Sequence, residues 1–263
     1  MASKKDDDTS WLFDEFPDWH KSVYVVDDKK ADLKVPVNKG RESNIYLTYI
    51  IANYDHLPDV MLFIHPERYQ WHNDDPYYDG LRMLRNLQLP YLEEQGYVNL
   101  RCAWILGCPA EIRPFEDEHR EDVHAGEYFK KGFMELFPGV EVPSEVGASC
   151  CAQFGVTQQK VLQRPKADYE HYRDWLLHTS LPDALSGRIM EYSWHSMDMS
   201  IHEHISYKTV WLMHMCSDFW KRSRLLSHGR GLLLQRLWIV QSHLPRRRRM
   251  RWTICSASLF HIA

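Results

Sequence analysis

Along this 263-residue chain, apolar and polar positions are arranged in two patterns, and segments of one pattern alternate with segments of the other. Short apolar or β-branched runs predict strands, and apolar residues repeated every three or four positions predict helices. The predicted strands are residues 22–26, 59–65, 97–100 and 147–154. The predicted helices are residues 44–54, 81–94, 166–177 and 183–194, with a partly helical segment at 117–131.

Alternation of strands and helices predicts the fold class α/β. We expect a single domain with a mostly parallel central sheet flanked by helices, in a Rossmann-like or nucleotide-sugar-transferase-like layout. Sheets of this kind bind ligands at the carboxyl ends of their strands. The loop after the 59–65 strand is therefore the first place to look for functional side chains.

Charge divides the chain near residue 195. Residues 196–263 carry 11 Lys+Arg and 3 Asp+Glu, a net of +8, whereas residues 1–195 carry 21 and 33, a net of −12. We predict a polar N-terminal segment at 1–9, an α/β catalytic domain at 10–195 and an atypical basic tail at 196–263, poorly ordered or mispredicted. The arginine-rich residues 246–251 leave a nucleic-acid-binding arm as an alternative.

The composition indicates a cytoplasmic protein. No run approaches the ~20 apolar residues of a membrane span, and the polar start lacks the pattern of a signal peptide. The six cysteines match neither a disulfide framework nor the spacing of a zinc site. We expect no membrane and no disulfide-linked partner, with Cys150 and Cys151 as small buried residues of a strand.

The densest group of polar residues follows the 59–65 strand. It includes His65, His72, Asp74 and Asp75. Imidazoles and carboxylates at the end of a strand can bind a metal or perform acid–base chemistry. The alternative is a solvated loop whose polar residues cap the next helix.

Residues 116–122 form a second group that is rich in carboxylates. Asp117 and Glu121 are four positions apart and would share one face of a helix. Neighbouring carboxylates raise one another's pKa, which suits a general base. Composition alone favours the structural interpretation, because acidic residues are common in the first turn of a helix.

A third candidate surrounds Gly40, between Lys39 and Arg41. Glycine in a turn that opens a helix lets a ligand approach the backbone, and a helix N-terminus favours anions. A single glycine is also what an ordinary turn contains, and we prefer that interpretation of the residues alone.

Several ordered motifs resemble a fungal domain family of long-unassigned function. They are residues 8–12 (DTSWL), 38–42 (NKGRE), 46–51 (YLTYII), 53–60 (NYDHLPDV), 71–74 (WHND), 96–102 (GYVNLRC), 150–154 (CCAQF) and 172–176 (YRDWL). Within that group the chain resembles the arginine-containing cyclodipeptide synthases of fungal secondary metabolism. The resemblance implies an aminoacyltransferase that takes arginyl-tRNA and a second aminoacyl-tRNA and releases a cyclic dipeptide, with no cofactor and no metal.

The resemblance also assigns residues. The family's acidic motif Asp-Asp-x-x-Glu is matched by residues 117–121 (DEHRE), which implies catalytic roles for Asp117, Glu118 and Glu121, with Glu in place of the second Asp. Six further residues are expected to bind substrate: Lys39, Arg41, Glu42, His65, His72 and Asp74. The tRNA is expected to meet local basic patches, either Lys130 with Lys131 or Lys160 with Arg164 and Lys166.

Two alternatives stay open. Asp74 and Asp75 after a buried strand would suit a metal-dependent glycosyltransferase-like enzyme. The abrupt change of composition after His195, inside the motif at 191–195 (EYSWH), would suit a non-catalytic member of the family.

Overall fold

A computed structural model describes residues 1–101, 111–116 and 125–197. The chain divides into two units, residues 1–227 and 228–263, and every described residue belongs to the first. No helix among the described residues combines the length and the apolar character needed to cross a membrane.

The described elements alternate between short strands and helices. In chain order they are β1 (Ala2–Ser3), α1 (Ser10–Glu15), β2 (Tyr24–Val25), α2 (Glu42–Asn53), a 3₁₀ turn (Tyr54–His56), β3 (Val60–Phe63), α3 (Gly80–Arg85), α4 (Leu89–Gln95), β4 (Tyr97–Asn99), α5 (Gly126–Leu136), β5 (Phe154–Thr157), α6 (Gln158–Val161), α7 (Lys166–His178), α8 (Asp183–Glu191) and α9 (Trp194–Met197).

The strands form two small sheets within the described residues. β1 pairs with β2 in parallel, and β5 lies between β3 and β4, antiparallel to both. The chain is therefore mixed α/β, as predicted, but the described part does not form the expected mostly parallel central sheet. β3 and β4 do run in the same direction, and β5 separates them. An apolar run indicates a buried strand without indicating which neighbour it pairs with or in which direction.

Two predicted elements differ in their bounds for local reasons. The predicted 81–94 helix is two helices, because Pro90 opens the second one, α4, in its first turn. The predicted 147–154 strand is an irregular approach to β5, in which Cys151 (φ 87°) and Ala152 (φ 46°) adopt left-handed backbone conformations. Most of this approach is buried, which explains its strand-like apolar pattern.

An aromatic core packs α2 and α9 against the three-stranded sheet. It consists of Tyr46, Phe63, Phe154 and Trp194, each at most 3% exposed. The ring centroids are 4.8 Å apart for Tyr46–Phe63, 4.9 Å for Phe63–Phe154 and 5.3 Å for Phe154–Trp194. Such pairs each add about 0.5–1.5 kcal/mol to the burial of their area. The aromatic core thereby fixes the end of β3 beside the start of β5.

Arg164 is buried against α9. Its Nη2 donates to the carbonyl of Ser196 over 2.7 Å, and its Nε donates to the carbonyl of Met197. A side chain that is 8% exposed and donates to two carbonyls of α9 is not a surface contact for tRNA, which corrects that expectation for Arg164. The predicted boundary after His195 stays a prediction, although α9 runs past it to Met197.

Candidate functional site

The candidate site lies where four segments of the chain meet. They are the turn before α2 (residues 39–42), the loop between β3 and α3 (residues 65–79, here the 65–79 loop), the approach to β5 (residues 150–153) and the end of α8 (residues 188–192). Hydrogen bonds and close packing join these segments in pairs.

The turn before α2 is packed tightly enough to require its glycine. Gly40 has a φ of 71°, and a Cβ built on it would lie 2.5 Å from the side chain of Leu176 in α7. The next residue, Arg41, also has a positive φ of 55°, which is unusual for a residue with a side chain. Its side chain crosses Gly187, where a Cβ would lie 3.2 Å from Arg41 Cδ. The turn therefore places Arg41 along α8.

A chain of hydrogen bonds connects β3 to α8. His65 Nε2 lies 2.7 Å from the carbonyl oxygen of Cys151. A carbonyl can only accept, so Nε2 of His65 carries a proton and donates to it. The backbone N–H of Cys151 donates in turn to Glu191 Oε1 at the end of α8. The backbone N–H of His65 donates to Gln153 Oε1 over 3.0 Å.

Glu191 supplies the carboxylate of this network, because its Oε1 accepts the hydrogen bond from Cys151. Its side chain is 10% exposed, and Arg188 lies 3.5 Å away. Burial raises the pKa of Glu191 above its ordinary value, while the guanidinium of Arg188 and the N–H of Cys151 act in the opposite direction. A carboxylate with a raised pKa accepts a proton more readily near neutral pH than an exposed one, as a general base must.

His72 is held as a neutral imidazole. Its ring stacks on His65, with centroids 4.6 Å apart, and lies 4.2 Å from the ring of exposed Trp71. The pKa of His72 is lowered to about 4, first by burial and then by four nearby groups that are or can become positively charged. These groups are His65, Arg101, Arg41 and Arg188. The site thus combines an arginine-rich environment with the buried carboxylate of Glu191.

Arg101 links the 65–79 loop to the approach to β5. Its Nη1 donates to the carbonyl of Trp71 over 2.7 Å and lies 3.4 Å from Cys151 Sγ. Its guanidinium lies 5.3 Å from the centroid of the Trp71 ring. Arginine in this position can bind an anion.

One group of described residues has the ligand atoms of a metal site. The Sγ atoms of Cys150 and Cys151 and a carboxylate oxygen of Glu191 lie within 4.8 Å of one another. The two sulfurs form a disulfide here, so they are not thiolate ligands unless the bond is reduced. Both cysteines are buried, but they precede β5 rather than lying in it, which corrects their predicted place in a strand.

The structure brings four of the predicted substrate-binding residues into this site. Arg41 and His65 act on the pKa of His72, and Glu42 acts on that of Glu191. The other two are placed at its border. Lys39 Nζ donates to the carbonyl of Leu181 over 3.3 Å, and Asp74 is half-buried in the 65–79 loop.

Asp117, Glu118 and Glu121 lie outside the described residues. Their catalytic roles stay a prediction from the family resemblance.

Four residues of the site were not predicted from the sequence. They are Arg101, Gln153, Arg188 and Glu191. Three of them lie in the motifs at 96–102, 150–154 and 191–195, so the resemblance marked their segments without assigning them roles. Spacing could not reveal them, because they come from parts of the chain that only the fold brings together.

Comparison with known proteins gives a family and no established function. A model of the family described as "Protein of unknown function (DUF3431)" matches residues 1–219. This region includes all described residues and therefore all four segments of the site. Among curated proteins and solved structures, none matches the chain significantly.

Proposed function

The chain belongs to the DUF3431 family, and from that premise we propose that it is a tRNA-dependent, arginine-containing cyclodipeptide synthase. It would join arginine from arginyl-tRNA to the amino acid of a second aminoacyl-tRNA, in the cytoplasm and without a cofactor. Support comes from the ordered motifs that resemble such enzymes and from one observation at the site. That observation is Glu191, a nearly buried carboxylate with a raised pKa, set among arginines.

The chemistry needs little more than positioning and proton transfer. An aminoacyl ester on tRNA is already activated, so no nucleotide is consumed. The α-amine of one aminoacyl group attacks the ester carbonyl of the other; the C–N bond forms and the C–O bond to the ribose breaks. The departing ribose oxygen takes up the proton that the amine loses and leaves as a hydroxyl. A second attack within the dipeptidyl ester closes the ring and releases the second tRNA.

Glu191 is our candidate for the base that takes the proton from the α-ammonium group. Glu42, close enough to raise the pKa of Glu191, would pair with the substrate guanidinium, for which a carboxylate is a bidentate partner. Arg41 and Arg188 would meet phosphate or the developing oxyanion. The motif residues Asp117, Glu118 and Glu121 keep their proposed roles as base or as guanidinium partners.

The glycosyltransferase-like alternative depends on the acidic pair in the 65–79 loop. The Oδ1 atom of Asp75 accepts from the backbone N–H groups of Tyr77 and Asp79 over 2.9 and 3.3 Å. Its Oδ2 lies 3.6 Å from Arg82 Nε. This carboxylate therefore stabilises the loop itself, and the residue that caps α3 is Asp79, whose side chain accepts from the N–H of Leu81. We do not carry the glycosyltransferase-like alternative further.

Product formation by the purified full chain tests the proposal. Arginyl-tRNA and a mixture of other aminoacyl-tRNAs would be incubated with the protein and analysed by mass spectrometry. We expect an arginine-containing cyclic dipeptide, and a loss of roughly 100-fold or more in Glu191→Gln. Glu170→Gln, at an exposed position of α7, is the matched control and should keep full activity. Glu121→Ala should also abolish product without unfolding.

Two results would count against the proposal. One is a folded chain that makes no arginine-containing cyclic dipeptide, which would favour the non-catalytic alternative. The other is full activity in Glu191→Gln, which would remove the base that we assign.

A further inference from the structure

The 65–79 loop exposes an unusual number of aromatic rings. Tyr69 is 61% exposed, Trp71 49%, Tyr77 73% and Tyr78 52%. Burial of such side chains ordinarily stabilises a fold, and neighbouring exposed aromatic residues mark interaction surfaces. Folding alone does not account for four of them in one loop.

These rings are exposed although the backbone beneath them is held in place. Asn73 is 3% exposed, and its Nδ2 donates to the carbonyls of Arg68 and Tyr78 over 2.8 and 2.9 Å. Its Oδ1 accepts from Gln153 Nε2 over 3.1 Å. Arg68 also pairs with Asp79 over 2.9 Å. The loop is thus preorganised with its rings outward, which lowers the entropy lost on binding.

Arginine side chains lie over three of the rings. The guanidinium-to-centroid distances are 5.0 Å for Arg68 on Tyr69, 5.6 Å for Arg82 on Tyr77 and 5.3 Å for Arg101 on Trp71. Aromatic faces beside arginines are typical of surfaces for single-stranded nucleic acid, because bases stack on the rings and guanidinium groups meet phosphates. Among the described residues, Arg101 has no carboxylate within ion-pair distance.

We propose that the 65–79 loop binds the unpaired 3′ end of an RNA, with bases stacked on Trp71 and Tyr77 and phosphates on Arg101. This inference rests on the proposed function, since the reactive ester of an aminoacyl-tRNA is at that end. The path from the loop to the site supports it. The ring of Trp71 packs at a tilt on that of His72, and the ring of His72 stacks on that of His65. His65 then donates to the carbonyl of Cys151, and the N–H of Cys151 donates to Glu191.

Binding of a labelled RNA hairpin with a short unpaired 3′ overhang, followed by fluorescence anisotropy, tests the inference with the full chain. We expect Trp71→Ala and Tyr77→Ala each to raise the dissociation constant about tenfold, the usual loss when one stacked base loses its ring. Trp71→Phe should keep most of the affinity. The matched control is Phe13→Ala, because Phe13 is 51% exposed in α1 with Lys21 Nζ 5.4 Å from its centroid.

A blunt hairpin of the same stem separates the loop from the arginine-rich residues 246–251. The basic segment would bind either hairpin, whereas the loop should prefer the overhang. A photoreactive pyrimidine in the overhang should crosslink to the peptide that contains Trp71 and Tyr77. Equal dissociation constants for wild type, Trp71→Ala and Phe13→Ala would overturn the inference. Crosslinks confined to residues 196–263, as well as equal affinity for both hairpins, would also overturn it.

Different experimental results would contradict this inference and the proposed function. If the chain makes the cyclic dipeptide but Trp71→Ala binds the overhang as wild type does, only the role of the loop is wrong. If overhang binding depends on Trp71 but no product forms, the loop is an RNA-binding surface of a protein with another activity.

Discussion

The aromatic core and the 65–79 loop use the same residue types in opposite ways. The core rings are at most 3% exposed and pack with centroids 4.8–5.3 Å apart, whereas the loop rings are 49–73% exposed. In the core, burial of the rings stabilises the fold. In the loop, polar groups such as Asn73 and Asp79 hold the backbone and the rings contribute little. Rings that are rigidly placed but not buried are better explained by a partner than by folding.

Phe154→Ala should have the largest effect, because its ring contacts Phe63 and Trp194 at the centre of the aromatic core. We expect a loss of about 3–5 kcal/mol in the free energy of unfolding, measured by urea denaturation. Phe154→Leu, which keeps most of the volume, should lose less. A loss below about 1 kcal/mol for the alanine variant would show that the core does not stabilise the fold as we describe.

Acid should destabilise both regions, each through one histidine. The pKa of His195, buried near the aromatic core, and that of His72, in the 65–79 loop, are both lowered from 6.5 to about 4. Between these values the unfolded chain binds a proton that the folded chain does not, so stability present above pH 6.5 is lost as the pH falls toward 4. For fully buried His195 this loss reaches about 3 kcal/mol. For His72, which is only partly buried, solvent screening makes the loss smaller.

Urea denaturation at several pH values checks this prediction. His72→Gln should reduce the loss between pH 6.5 and 4, whereas His20→Gln, at an exposed position, should leave it unchanged. The same pH dependence in His72→Gln and wild type would contradict the burial that we assign to His72.

Asn73→Ala should cost about 2 kcal/mol, less than a core ring, because it removes three hydrogen bonds of a buried amide: two to carbonyls of the 65–79 loop and one from Gln153. It should also weaken RNA binding, since the rings would no longer be held in place. Exposed Asn86 offers the control: Asn86→Ala should change neither the unfolding midpoint nor binding. Unchanged stability in Asn73→Ala would mean that the loop is not held by these hydrogen bonds.

Tyr77→Ala should have the smallest effect on stability, under about 0.5 kcal/mol, because its ring is 73% exposed. The difference in unfolding free energy between Tyr77→Ala and Phe154→Ala tests most clearly whether the two regions use their rings differently. If both variants destabilised the chain to a similar degree, the loop rings would be part of the fold rather than a surface for a partner.

Helices with clear periodicity were predictable from the sequence, and strand pairing was not. The predicted 166–177 and 44–54 helices correspond to Lys166–His178 and Glu42–Asn53, because apolar spacing along one element is a local property. The position of β5 between β3 and β4 depends on contacts across almost a hundred residues, such as Val60 with Thr157. No local pattern records such contacts.

The site divides in the same way. His65 and His72 were singled out because they follow an apolar strand, whereas Arg41 and Glu42 were expected to bind substrate because of the family resemblance. Glu191 and Arg101 owe their place to folding alone. The exposure of Trp71 and Tyr77 was also not predictable, because the sequence alone does not indicate whether an aromatic residue faces the core or the solvent.

The rate of cyclic dipeptide formation at increasing arginyl-tRNA concentration tests most directly whether the loop serves the reaction. For a folded Trp71→Ala variant we predict a KM for arginyl-tRNA about tenfold above that of wild type and of Phe13→Ala, with kcat nearly unchanged. The same KM in all three proteins, or no cyclic dipeptide from folded wild type, would contradict the role that we assign to this surface.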